Sequence, residues 1–427
     1  MDTFYGLGIA PGILEQLEKL SYTKPTPIQH QAIPPAIKGE DLIGIAQTGT
    51  GKTLAFSIPM LQRLSATKGM GLVLLPTREL ALQVDEVVQK IGRGFGLRTA
   101  ILIGGASMQP QIRSIRAKPH VIIATPGRLL DHLTQRTLTL DRVNTLVLDE
   151  ADRMLDMGFK PQIEKILAVV PKDRQTLLFS ATMPEDIAKI ARNHMKAPTR
   201  VEVERAGTAA QNVEQEVFIV AKSDKIRLLS ELLKQYQGSV LVFSRTKHGA
   251  KKIAQSVRGM GHTSAELHSN KSLAQRKMAL GGFKSGEFRV LVATDIAARG
   301  IDVKEIELVL NYDLPDAAED YVHRIGRTGR AGSSGKAISF ACPDQKGDLK
   351  SIERLIRTPL PVKALPVLPK LDPSITNHTE ERDRGSERPH RRAYGNRAGG
   401  SHGGGQGRTG GDKGGHSRRF PTRRTHS

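Results

Sequence analysis

The chain has no tryptophan, and only 4% of its residues are aromatic. Base stacking on rings is therefore a poor candidate for its main mode of recognition. Its single cysteine, Cys342, excludes an intrachain disulfide and fits a reducing compartment. Cys342 follows the apolar run Ala337–Ala341 and reads as a small core residue. No apolar run approaches the roughly 18 residues of a membrane span, and no secretory leader is evident. The expectation is a soluble, cytoplasmic protein with no membrane partner. Acids are also scarce: 43 Asp+Glu stand against 64 Lys+Arg, a formal net charge of +21. Such an excess points to a polyanionic partner, nucleic acid by default.

What is present is a long alternation of short apolar runs with helix-length segments. A first set of runs is Asp41–Ile45, Leu72–Leu75, Val121–Ala124, Thr145–Leu148 and Thr176–Phe179. A second set is Ser239–Phe243, Arg289–Ala293, Glu307–Leu310 and Ala337–Phe340. This pattern predicts two α/β units with parallel sheets, over residues 1–204 and 213–365. The Ala/Gly/Thr/Gln-rich stretch 205–212 reads as their linker. Residues 366–427 read as a tail, basic from 388. Arg388–Ser427 holds ten Lys/Arg and one acid, Asp412, with almost nothing apolar to bury. Chain entropy should keep it disordered. Its Arg-Ala-Gly-Gly and Arg-Thr-Gly-Gly runs suggest RNA binding; a purely solubilising role is the alternative.

Chemistry enters at Ala46-Gln47-Thr48-Gly49-Thr50-Gly51-Lys52-Thr53, which follows the first apolar run. Gly49 and Gly51 let the backbone curl around an anion. Lys52 supplies positive charge for β- and γ-phosphates, and Thr53 offers a hydroxyl to a metal. The helix that follows would point its N-terminus at the phosphates. Ala46 stands where the strict pattern has glycine. Downstream, Leu146-Val147-Leu148 leads into Asp149-Glu150-Ala151-Asp152. Asp149 is placed to hold Mg2+ through water, and Glu150 to orient or deprotonate the attacking water. Alone, these acids could be an ordinary acidic helix start. With the glycine-rich turn they predict Mg2+-dependent nucleotide hydrolysis.

Further short motifs end other apolar runs: Pro76–Leu80, Thr125–Arg128, Ser180-Ala181-Thr182, Phe243–Thr246 and Ala293–Asp295; Ala298–Asp302 and His323–Arg330 come next. In this order they make the chain resemble a DEAD-box RNA helicase, from Phe4 to about residue 345. The short N-terminus, Thr246–Ala250 and the basic tail are similar to the bacterial RhlE-like subgroup. The resemblance implies two tandem RecA-like P-loop domains, and ATP hydrolysis coupled to local unwinding of RNA.

It also implies roles by position. Phe4 would stack on adenine, and Gln29, within Pro25–Gln29, would read the base edge. Asp302 would meet the ribose. Arg327 and Arg330, three apart and expected on one helical face, would reach the γ-phosphate. Ser180, Thr182 and His323 would couple hydrolysis to the interdomain interface. RNA phosphates would meet Arg78, Gly105, Thr125, Arg128, Arg245 and Thr294. Two positions depart from the pattern. Ser21 replaces a glycine before Tyr22, which should be tolerated. Leu273 replaces a commoner glutamine in Asn270–Arg276, which weakens that loop as an RNA contact. The partner left open is a ribosomal or mRNA ribonucleoprotein, or the degradation machinery. An RNA clamp or chaperone, or a DNA helicase, remains an alternative.

Overall fold

The computed structural model describes residues 3–47, 49–203, 213–298, 303, 306–329 and 335–370. Thr48, Asp302, Arg330, the 205–212 stretch and the basic segment from 388 lie outside them.

Two seven-stranded sheets carry the fold. The first holds β1 (Leu42–Ile45), β2 (Met70–Leu74), β3 (Thr99–Leu102), β4 (Val121–Ala124), β5 (Val143–Leu148), β6 (Gln175–Ser180) and β7 (Thr199–Glu202). The second holds β8 (Val213–Ile219), β9 (Val240–Phe243), β10 (Ser264–Leu267), β11 (Val290–Ala293), β12 (Leu308–Asn311), β13 (Gly335–Ala341) and β14 (Val362–Lys363). Every pairing is parallel. The orders are β3-β4-β2-β5-β6-β1-β7 and β10-β11-β9-β12-β13-β8-β14. These are one topology used twice.

Burial explains the composition of the strands. β1, β2, β4 and β6 are covered on both faces, as are β9, β11 and β12. A parallel sheet with helices on both sides demands such continuous apolar runs. Packing in the first sheet is close enough to require glycine at 44, where a Cβ would lie 2.5 Å from the Phe179 ring. Asp41 fixes the entry to β1. Its carboxylate accepts from Thr176 N at 2.7 Å and Lys196 N at 2.6 Å. Ser21 adopts φ 60°, the left-handed region that suits glycine. Cys342 falls one residue beyond β13 and is half-buried, not a full core residue. Among the described residues, no helix is long and apolar enough to cross a membrane.

Strand order decides what meets what. β6 lies between β1 and β5, so the turns after these three strands are neighbours. Those turns carry Ala46–Thr53, Asp149–Asp152 and Ser180–Thr182. On the other side, β3, β4 and β2 adjoin, and their turns carry Gly105, Thr125 and Arg78. One sheet edge thus presents two separate groups of motifs.

Candidate active site and nucleic-acid interface

After β1 the chain turns tightly. Ala46 N donates to Ser180 O at 3.0 Å, and Thr50 Oγ1 to Gln47 O at 2.7 Å. Gly49 and Gly51 take φ of 90° and 95°. The helix Lys52–Ala66 then begins on Gly51. A Cβ on Gly51 would lie 2.3 Å from Gln29 Nε2, so backbone angle and space both call for glycine there. Lys52 is buried although it is charged. Its Nζ lies 3.0 Å from Glu150 Oε1 and 3.9 Å from Asp149 Oδ1. Burial opposes its charge, yet Glu150, Asp149 and Asp152 hold its pKa above the ordinary lysine value.

Asp149 and Glu150 follow β5, and both are buried. Glu150 takes φ 54°, unusual for a non-glycine residue, and its N–H donates to Asp149 Oδ1 at 2.9 Å. Backbone conformations of this kind cost about 1–3 kcal/mol and cluster at functional sites. Burial pushes the Asp149 carboxyl up to about 7, against the pull of Lys52. Burial also raises Glu150, but Arg153 and Lys52 outweigh it and hold Glu150 well below the usual carboxylate range. One acid is thus kept strongly ionised, while burial lifts the other.

The neighbouring residues tie this turn to β6. Asp152 Oδ2 accepts from Ala181 N, Thr182 N and Thr182 Oγ1 at 3.0, 2.8 and 3.0 Å. Ser180 Oγ accepts from Asp152 N at 3.1 Å. Ser180 and Thr182 therefore do meet the acidic turn, and Asp152 is the residue that joins them. Arg153 is fully buried, and its Nε lies 3.2 Å from Glu150 Oε2. No sequence signal marks that role, because an arginine inside an acidic helix start reads as solvated.

The second domain closes on this group. Arg153 lines a small gap together with Phe243, Asp295, His323, Arg324 and Arg327 of the second domain. Burial and then Arg153 push the His323 imidazole down to about 4, against Glu150 and Asp152. His323 is therefore neutral near pH 7. The helix Ala318–Ile325 ends before Arg327. Gly326 and a left-handed Gly329 turn the chain instead. Arg327 is buried, with Nε donating to His323 O at 3.0 Å. Arg324 went unnoticed in the sequence. It is buried, pairs with both oxygens of Asp295 at 2.5 and 2.7 Å, and donates to Asp313 O at 2.6 Å.

The two candidate adenine residues lie in the first domain. Gln29 Oε1 accepts from Thr26 N and its Nε2 donates to Gly51 O, each at 3.0 Å. Among the described residues, these contacts use one amide N–H and one lone pair, leaving one of each for a base. Gln29 thus links the helix Pro27–Ile37 to the phosphate turn. Phe4 is buried in the apolar core with Leu7 and Ile9, so its ring is a packed wall rather than a free platform.

On the other side of the sheet edge, Arg78 lies beside Gly105, where a Cβ would sit 2.1 Å from Arg78 Nη1. Arg128 Nη1 donates to Ala106 O at 2.9 Å. Burial, then Arg276 and Arg128, push Arg78 below its usual value, with Glu79 opposing. Cationic charge is therefore concentrated here, as phosphate binding needs. Thr125 is buried at the start of the helix Pro126–Thr134. In the second domain Arg245 and Thr294 follow the adjacent strands β9 and β11. Arg245 N donates to Asp313 Oδ2 at 3.0 Å, and its Nε lies 3.1 Å from Asp316 Oδ1. Arg276, also of the second domain, crosses to the first: Nε to Glu79 Oε1 is 2.6 Å.

Paired parallel α/β domains with a lysine–carboxylate cluster after β1 and β5 define a P-loop nucleotide hydrolase. The more particular identity comes from comparison. Residues 26–190 match the DEAD/DEAH box helicase family, and residues 224–332 the helicase conserved C-terminal domain. An ATP-dependent rRNA helicase, RRP3, of Meyerozyma guilliermondii is 45% identical over 342 residues, covering 79% of this chain and 72% of that protein. The DEAD-box ATP-dependent RNA helicase CshA of Bacillus cereus is 44% identical, covering 83% and 68%. The structure resembles S. cerevisiae Dbp5 bound to RNA and ADP BeF3, with TM-score 0.77, 31% identity, and coverage of 85% and 96%. It also resembles Mss116p bound to ssRNA and AMP-PNP, with TM-score 0.77, 28% identity, and coverage of 87% and 79%. The chain belongs to the DEAD-box family of ATP-dependent RNA helicases.

Proposed function

We propose that this protein hydrolyses ATP with Mg2+ at the turn Ala46–Thr53, and that closure of the two domains on RNA drives local, sequence-independent separation of short duplexes. The observation that carries the reading is the buried Lys52–Glu150–Asp149 cluster, which faces His323 of the second domain. Lys52 binds the β- and γ-phosphates, releasing Glu150 to orient and deprotonate the attacking water. Arg327 and Arg330 bring positive charge to the γ-phosphate from the second domain. Phe4 and Gln29 recognise adenine, and Asp302 the ribose. Ser180, Thr182 and His323 relay the state of the phosphates to the domain interface. Arg78, Gly105, Thr125, Arg128, Arg245 and Thr294 hold the RNA backbone.

The donor set fits magnesium. Asp149 and Thr53 offer hard oxygens, and the raised Asp149 pKa reflects a carboxylate that a cation would stabilise. Bound there, the ion would supply charge neutralisation to the phosphate oxygens.

Thr246–Ala250 and the basic composition of the segment from 388 support an RhlE-like assignment. The single cysteine fits a cytoplasmic protein, and the excess of basic residues fits ribosomal or messenger ribonucleoproteins, or the degradation machinery, as partners. The division into 1–204, 205–212, 213–365 and a tail from 366 fits a first sheet ending at Glu202 and a second beginning at Val213. The test is ATP turnover with RNA, with DNA and with neither, in wild type and Lys52→Ala. RNA alone should stimulate, and only in wild type. Equal stimulation by DNA would favour a DNA motor. Absence of turnover with tight RNA binding would favour a clamp or chaperone.

A further inference from the structure

The helix Leu273–Ser285 belongs to the second domain, but its first turn reaches the first domain. Ser272 and Gln275 cap it reciprocally: Ser272 Oγ accepts from Gln275 N at 3.3 Å, and Gln275 Oε1 accepts from Ser272 N at 3.0 Å. That cap fixes the start of the helix. Leu273 and Arg276, three positions apart, then leave it on one face. Arg276 is buried and pairs with Glu79 of the first domain, which is also buried. Arg276 Nη1 further donates to His268 O at 3.4 Å, steadying the guanidinium from its own side.

Leu273 does something the sequence alone did not predict. Among the described residues, it packs against the apolar cluster of the first domain, to which Leu80, Ala81 and Ile103 belong, rather than against either cluster of its own domain. A leucine therefore spans the seam beside a buried ion pair. A glutamine, the residue the family resemblance leads one to expect, would bring a hydrated amide there.

We propose that Leu273 is the apolar half of a latch between the two domains, with Arg276–Glu79 as the polar half. The leucine side chain stabilises the closed arrangement by losing contact with water. It also keeps water from the ion pair, which strengthens that attraction. Closure in this chain thus draws on burial, which salt does not screen, as well as on charge, which it does. The latch rests on the closing motion proposed above. Leu273 is a positioning residue, packed on the first-domain cluster.

The experiment uses the full chain with one introduced cysteine per domain in a Cys342→Ser background, labelled for energy transfer. A non-hydrolysable ATP analogue is titrated at saturating single-stranded RNA, at two salt concentrations. Leu273→Ala and Leu273→Gln should each need roughly 3- to 10-fold more analogue for half-closure than wild type, and the gap should widen with salt. Turnover at saturating ATP and RNA should stay near wild type. The second domain should melt unchanged, because Leu273 is not part of its core. Half-closure at the wild-type concentration in both variants would overturn the proposal. So would lowered melting with closure unaffected, the signature of an ordinary core leucine. Wild-type protein that fails to close with RNA and analogue would overturn the reading under Proposed function, and the latch with it. The wild-type titration alone distinguishes that failure.

Discussion

Glu150→Gln changes charge at nearly constant volume, in a place where the charge has two partners. The Glu150 carboxylate lies 3.0 Å from Lys52 Nζ and 3.2 Å from Arg153 Nε. Lys52 and Arg153 are only 4% and 0% exposed, so water cannot replace the lost partner. Removing one member of a buried ion pair costs about 3–5 kcal/mol. Lys52 retains Asp149 at 3.9 Å, which favours the lower end, about 3 kcal/mol. At about 2–4 °C per kcal/mol for a domain of this size, melting without nucleotide should fall by roughly 6–12 °C. ATP should reverse much of the loss, because phosphate gives Lys52 a new counter-charge. Catalysis should suffer more: losing a general base costs about 10²- to 10⁴-fold. RNA-stimulated phosphate release should fall by that factor while ATP binding persists. RNA chased from the variant in ATP should leave far more slowly than from wild type, since hydrolysis no longer reopens the cleft. Turnover near wild type would refute the role of Glu150. An equal melting loss with and without ATP would refute the argument that phosphate takes over Lys52.

Asp152→Ala should separate two activities. It strips three acceptor contacts from Ala181 and Thr182, so melting should drop by an amount equivalent to about 3 kcal/mol, and duplex unwinding should fall further than ATP turnover when both are measured on one preparation. Gly51→Ala places a Cβ 2.3 Å from Gln29 Nε2 at φ 95°; nucleotide titration should reveal at least tenfold weaker ATP binding, roughly the effect of 1–2 kcal/mol of backbone strain. Removing Arg388–Ser427 should raise the RNA concentration for half-maximal ATPase and flatten its salt dependence, with saturated turnover unchanged; an unchanged slope would leave the tail a solubilising segment.

All nine strands expected from apolar runs are present, because each is buried on both faces over most of its length. The five that went unread are β3, β7, β8, β10 and β14. β3, β7, β10 and β14 lie at or next to sheet edges, and β8 is second from one. Edge strands such as β7 (Thr-Arg-Val-Glu) and β14 show solvent one face or both, so they carry too few apolar residues to stand out. The site divides in the same way. Lys52, Asp149, Glu150, Ser180 and Thr182 were legible, since their motifs follow buried strands whose order brings them together. Arg153 and Arg324 were not. Each is a charged residue inside a short helix, where sequence predicts solvent, and only the tertiary packing buries it. Arg327 lies outside the helix for a local reason. Gly326 ends the helix before Arg327, and sequence spacing alone cannot fix where a helix stops.

The strand order also gives a physical reason for two ligands to be coupled. The edge of the first sheet carries the phosphate turn and acids after β1, β5 and β6. It carries the proposed RNA-backbone residues after β2, β3 and β4. Each group is met separately by the second domain. His323 faces Glu150 on the nucleotide side, and Arg276 pairs with Glu79, next to Arg78, on the RNA side. The bridges are independent in sequence but belong to one rigid sheet and one partner domain. A ligand that completes either bridge therefore favours the same closed arrangement. Whatever factor ATP adds to RNA affinity through that arrangement, RNA must add to ATP affinity, because both act on one equilibrium. Release of phosphate after hydrolysis would remove the counter-charge proposed to draw Lys52 from Glu150, and so would weaken the nucleotide-side bridge without touching the RNA side. The RNA-side seam, with the Arg276–Glu79 pair and Leu273 among its contacts, must then hold the closed state alone. On this reasoning it gives way, and the RNA leaves.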